Sequence, residues 1–316
     1  MKKRLGIGLS LILLAGVFLF IGSRMERTAA VRMLATTAPW AVVAAIVLFW
    51  LNFAVSTERY RLILRNMPVR APGFGPLYRL TFLSLFLAHF VAVGPAADVV
   101  RVGYGRFRLE LPAVTAIESV IYDRVLALAG LAILGLMLLP VQIIRGIPDA
   151  LWLPQLVLWL ASLGGIFLMT WGARTPVIQR LSFLAGIARS IKGFVPAASG
   201  RGSLIPQMLL AAGYSGTYGL TIWVLARGMG MNLGVLDMLQ FSALILLVQS
   251  LPIFYMGWGA RETVIIGTLG LSGALSSEQA LAVSVATGAV FFLASLPGAV
   301  FWRLSPPQVP GTTDAV

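Results

Sequence analysis

The chain of 316 residues has no cysteine, which excludes disulfides, thiolate metal sites and cysteine nucleophiles. It has one histidine, His89, too few for a histidine-based metal centre. Charge is scarce as well. Only 11% of residues are charged against 59% hydrophobic, and the mean hydropathy is +0.91. A soluble domain carries roughly 25% charged residues, and none of this length could hide so much apolar surface. Acids are the scarcer sign, 11 against 24 Lys and Arg, for a net charge of +13. No run is dense enough in Lys and Arg to mark a nucleic-acid-binding surface. The basic residues lie between apolar segments, where the positive-inside rule places them. A nucleotide-binding glycine-rich loop is absent, so direct drive by ATP within this chain is not expected. Neither a metal nor a cofactor is expected.

What is present is a succession of long apolar runs. They do not alternate as barrel strands would, so the expected class is an all-α polytopic membrane protein. Residues 1–4 are basic and 5–22 are long enough to span. Ile21-Gly22-Ser23-Arg24 is a poor cleavage site, so this reads as an uncleaved helix with a cytoplasmic N-terminus. The next span is 39–55, ending in a loop whose Arg59, Arg61, Arg65 and Arg70 place it in the cytoplasm. Further spans are expected at 112–139, 152–171, 205–225 and 281–302, with an external turn at 140–151. The basic stretch 172–203 suits a surface helix over 177–195 on an anionic leaflet. Arg303 marks a cytoplasmic end, and the tail 305–316 is expected to be disordered.

Two apolar segments do not behave as spans. Residues 77–93 run into Gly94-Pro95, where proline breaks the helix, and Asp98 and Arg101 follow at i,i+3 spacing. Residues 235–250 run into Leu251-Pro252, followed by Gly257, Gly259, Arg261 and Glu262. If 77–93 crossed fully, the basic loops around Arg106 and Arg189 would both lie outside. Charge placement therefore predicts that each segment enters and returns. The layout span, broken hairpin, span occurs twice, over about 39–139 and 205–302. The expectation is one transmembrane domain, 1–304, built as an inverted-topology repeat with two re-entrant broken-helix hairpins.

These residues resemble the lysylphosphatidylglycerol synthase transmembrane-region family, the flippase-like domain also found in multiple peptide resistance factors. The resemblance covers nearly the whole chain. It rests on Glu58-Arg59-Tyr60-Arg61, on Gly94-Pro95 with Asp98 and Arg101, on Asp123-Arg124, and on Leu251-Pro252 with Gly257, Gly259, Arg261 and Glu262. The last is the most specific. Ala96-Ala97 departs from the glycine more usual before Asp98. The resemblance implies a bacterial inner-membrane protein that moves, or helps to make, a lipid with a polar head group. The best-understood members carry a soluble aminoacyl-transferase domain after the membrane region. The chain here stops at Val316, so a stand-alone membrane region is expected.

Charges in an apolar chain must be paired or wet. Asp98, Arg101, Glu118, Tyr122, Asp123, Arg124, Arg261 and Glu262 are therefore the candidate head-group cavity, with the arginines attracting a phosphate and the acids balancing them. Arg59, Arg61 and Arg65 read as topology determinants, His89 as a buried imidazole, and Tyr255 and Trp258 as interfacial anchors. The expected function is translocation of a phospholipid or polyprenyl-linked intermediate by alternating exposure of that cavity. The alternative is a membrane-embedded transferase or its accessory subunit, with Asp98 or Glu118 as base. A membrane lipid is the expected partner, and self-association is left open.

Overall fold

The computed structural model describes residue 33 and residues 35–90, 96–172, 193–194, 203–249 and 260–304. The first helix expected at 5–22, the breaks at Gly94-Pro95 and Leu251-Pro252, Tyr255, Gly257, Trp258, Gly259 and the tail lie outside the described residues. So does the expected surface helix, apart from Gly193 and Phe194.

Among the described residues every element is helical. The helices are α1 (Pro39–Asn66), α2 (Phe74–Ala88), α3 (Ala96–Arg108), α4 (Ala113–Ile144), α5 (Asp149–Gly172), α6 (Leu204–Gly228), α7 (Val235–Gln249), α8 (Ala260–Ile265), α9 (Ser277–Ser295) and α10 (Pro297–Leu304). A π-helical turn, Ile266–Gly270, extends α8. Helices α1, α4 and α6, and α9 together with most of α10, are each long and apolar enough to cross a membrane. The protein is multi-pass. Helices α2 and α7 are apolar but shorter, 15 residues each.

Two helix ends differ from expectation. Helix α1 does not stop at Val55 but runs for 28 residues to Asn66. No proline or glycine interrupts it, and Arg61 pairs with Glu58 one turn back at 2.7 Å. Arg59, Arg61 and Arg65, read as part of a loop, are therefore on a helix, each facing a fixed direction, while Arg70 lies beyond its end. Helix α4 passes through Pro140 to Ile144. Proline removes one backbone hydrogen bond from a helix, and here the helix tolerates it where an external turn was expected. The start of α9 obeys its local signal. Ser276 and Gln279 form a reciprocal capping box.

Helices α1 and α6 form the centre. They approach closely because small residues meet: a Cβ on Gly228 would lie 2.2 Å from Ala41 Cβ. Small residues at such contacts are how helices pack when lipid removes the hydrophobic drive. The core holds Phe49 and Phe53 of α1 against Phe291 of α9, with ring centroids 5.2 and 5.7 Å away. Phe82 of α2 closes on Phe53 at 5.4 Å. A second apolar cluster joins Tyr60 and Leu64 late in α1, Leu77 and Leu80 early in α2, Leu111 after α3 and Ala116 early in α4. Lateral neighbours complete the bundle: α5 packs on α4, and α10 on α2.

Candidate functional site

Three helices bring charge, and a fourth a tyrosine, into one cavity of about 420 Å³. Helix α1 supplies Ser56 and Arg59, α3 supplies Asp98 and Arg101, α4 supplies Asp123 and Arg124, and α6 supplies Tyr214. The rest of the wall is apolar, including Phe53, Leu85, Leu128, Leu131, Leu246 and Phe291, with Gln249 at the end of α7. The cavity is thus basic on one side and greasy on the other.

Asp123 is the hub of the basic side. It is 3% exposed. Arg59 Nε donates to its Oδ1 at 2.8 Å, and Arg101 Nη1 donates to its Oδ2 at 3.0 Å. One carboxylate therefore holds two guanidinium groups, and both arginines are buried with it. Aromatic faces support them. The Arg101 guanidinium lies 5.3 Å from the Tyr60 ring centroid, and that of Arg59 lies 5.7 Å from the Tyr214 ring. Ser56 Oγ accepts a longer bond from Arg101 Nη2 at 3.4 Å. Tyr60 is fixed in turn by Ser119, whose hydroxyl lies 2.9 Å from its own.

A second pair differs in character. Arg124 Nε donates to Asp98 Oδ2 at 2.8 Å, with the side chains 45% and 18% exposed. Asp98 and Arg101 share a face of α3, as their spacing requires, yet they do not pair with each other. Both instead reach across to α4.

The remaining candidates do not line this cavity. Glu118 is half-buried one turn before Tyr122 and hydrogen-bonds to it. Tyr122 packs on Phe194, with centroids 5.7 Å apart. Arg261 and Glu262 form a separate buried cluster with Ser284 of α9. Arg261 donates from Nε to Ser284 Oγ at 3.1 Å and from Nη2 to Glu262 Oε1 at 2.8 Å. Ser284 donates to the same Glu262 oxygen at 3.0 Å. Gly288 admits the arginine, since a Cβ there would meet Nη2 at 2.4 Å. The cluster is close to the cavity: Phe291, three residues beyond Gly288 on the same helix, lines the wall. His89 sits between Phe291 and Phe292, its Nδ1 2.8 Å from the Leu85 carbonyl oxygen.

The sequence reading missed Arg59. A run of arginines at a span's end reads as a topology signal, and Arg65 and Arg70 are indeed exposed. A finer signal was present. Phe49, Phe53 and Ser56 are spaced three and four apart, and Arg59 continues that stripe whereas Arg61 does not.

With this geometry in place, the comparisons add a family. A model of the family described as the lysylphosphatidylglycerol synthase TM region matches residues 5–298. No curated protein matches the chain.

Proposed function

Because the chain belongs to the lysylphosphatidylglycerol synthase transmembrane-region family, we propose that it moves a membrane lipid with an anionic phosphate head group across the bilayer. The observation that carries this reading is the cavity itself. Three arginines, Arg59, Arg101 and Arg124, face two acids, Asp98 and Asp123, beside an apolar wall. Buried guanidinium groups match phosphate oxygens in geometry as well as charge. The volume, about 420 Å³, lies in the range of roughly 300–1,000 Å³ that holds a drug-sized ligand. It suits a head group and its linker, while the acyl chains stay against the apolar side or in lipid.

The architecture proposed for this work is one domain with two inverted repeats, over 39–139 and 205–302, in a bacterial inner membrane with both termini cytoplasmic. Two features support it. Helices α2 and α7, one in each repeat, are both 15-residue apolar helices followed by a second short arm. At about 1.5 Å per residue each reaches about 22 Å, short of a hydrocarbon core of about 30 Å. The cluster of Leu64, Leu77, Leu111 and Ala116 also joins the start of α2 to the end of α3, as a hairpin that returns to its own side requires. Arg261 and Glu262 brace the second hairpin against α9.

Reconstitution of the purified chain into vesicles tests the function. A fluorescent anionic phospholipid in the inner leaflet should become accessible to an external quencher faster than in empty vesicles. Leu128→Trp, which fills the apolar side of the cavity, should slow this movement about tenfold or more while the protein still elutes as a folded species. Movement unchanged by Leu128→Trp, or absent from the wild type, overturns the reading. Recovery of a chemically altered lipid would favour the membrane-embedded transferase instead.

A further inference from the structure

We propose that Asp98 is the specificity residue of this cavity, restricting it to head groups that carry a single negative charge, as a phosphodiester does. The inference rests on the head-group reading above and concerns charge valence. Among the described lining residues, three arginines and two aspartates leave one net positive charge. A phosphodiester monoanion brings that sum to zero. A phosphate monoester, whose second pKa is about 6, is a dianion at about pH 8 and leaves the cavity negative beside an apolar wall.

Donors are available for such a ligand. A guanidinium has five N–H donors. Arg59 gives only Nε to Asp123, and Arg124 gives only Nε to Asp98. The terminal nitrogens of both remain free for ligand oxygens among the described residues. The two acids play unequal parts in setting the balance. Asp123 is buried and shared by two arginines, so its charge is structural. Asp98 is partly exposed and bound to one partly exposed arginine. Such a pair opens at little cost, which frees Arg124 for the ligand while Asp98 stays close enough to repel a second negative charge. Asp98→Asn keeps an oxygen that can accept from Arg124 Nε but raises the sum to two, which suits the dianion.

The test uses the full chain in detergent and in vesicles at about pH 8, where the monoester is dianionic. The probes are phosphatidylglycerol, a diester, and phosphatidic acid, a monoester, as short-chain forms for calorimetric binding and labelled forms for movement. The wild type should prefer the diester by about tenfold or more, since one added charge at close range in a partly dry site is worth at least that. Asp98→Asn should erase or invert the preference. Asp237→Asn, which removes an acid paired with Arg145 outside the cavity wall, should leave it intact. Equal binding of both lipids by the wild type, an unchanged preference in Asp98→Asn, or an equal shift in Asp237→Asn overturns the proposal. If the preference holds and responds to Asp98→Asn but neither lipid crosses, the valence limit stands and the translocase reading falls. If neither lipid binds, both fall.

Discussion

At the scale of single residues, the two aspartates of the cavity should respond very differently to the same chemical change. Asp123 pairs with both Arg59 and Arg101 where none of the three is more than a tenth exposed. Breaking a buried pair by removing one partner strands the other charge and costs about 3–5 kcal/mol, and here two charges are stranded. Asp123→Asn should therefore lower the unfolding temperature in detergent strongly, whereas Asp98→Asn, a change at a half-exposed pair, should cost at most about 1 kcal/mol. Equal melting of the two variants would show that Asp123 is not the hub. The acids and Arg101 were legible in the sequence because charges inside apolar runs are few and need a reason to be there. Their pairing was not. Spacing puts Asp98 and Arg101 on one face of α3, but their partners come from α4, 26 and 22 residues away. Only the packing of α3 on α4 decides that, and no local pattern encodes it. Arg59 was hidden by its neighbours: Glu58, Arg61 and Arg65 make the stretch read as a hydrated loop.

At the scale of elements, the sequence located the helices well and their ends poorly. The apolar stretches expected at 205–225 and 235–250 are α6 and α7 with shifts of three residues or fewer. The misses at Val55 and Pro140 share a cause: the ends were assigned where hydropathy falls or proline appears, but a helix ends where its backbone hydrogen bonds do. Polar side chains that find partners, such as Arg59 on Asp123, let α1 continue. The small residues of α9 illustrate the converse, a constraint that composition does not reveal. Gly288 exists beside Arg261, and any Cβ there collides with the guanidinium. Gly288→Ala should push Arg261 off Ser284 and Glu262 and destabilise the protein by about 1–3 kcal/mol, the usual cost of overpacking. Gly267→Ala, in the adjoining π-helical turn with nothing within 4 Å of the added carbon, should be near neutral. Comparable unfolding temperatures for the two variants would mean that the Arg261 cluster is looser than its geometry indicates.

At the scale of the whole molecule, the question is how the chain threads the bilayer, and two routes remain distinct. If α2 crossed completely, the end of α3 would emerge on the side opposite the end of α1. If α2 and α3 form a hairpin, both ends share a side. Length favours the hairpin, since α2 reaches only about 22 Å. Packing favours it too, because Tyr60 and Leu64 near the end of α1 share a cluster with Leu77, Val102, Leu109 and Leu111. Charge adds a third, independent reason: Arg65 and Arg106 both belong to stretches that the positive-inside rule assigns to the cytoplasm. Arg65 and Arg106 are exposed, and the native chain has no cysteine to confuse labelling. Single cysteines at these two positions should therefore react with a membrane-impermeant maleimide from the same face, in inverted vesicles but not in intact cells. Reaction from opposite faces would remove the proposed re-entrant hairpin, and with it the proposed inverted repeat on which alternating exposure of the cavity would depend.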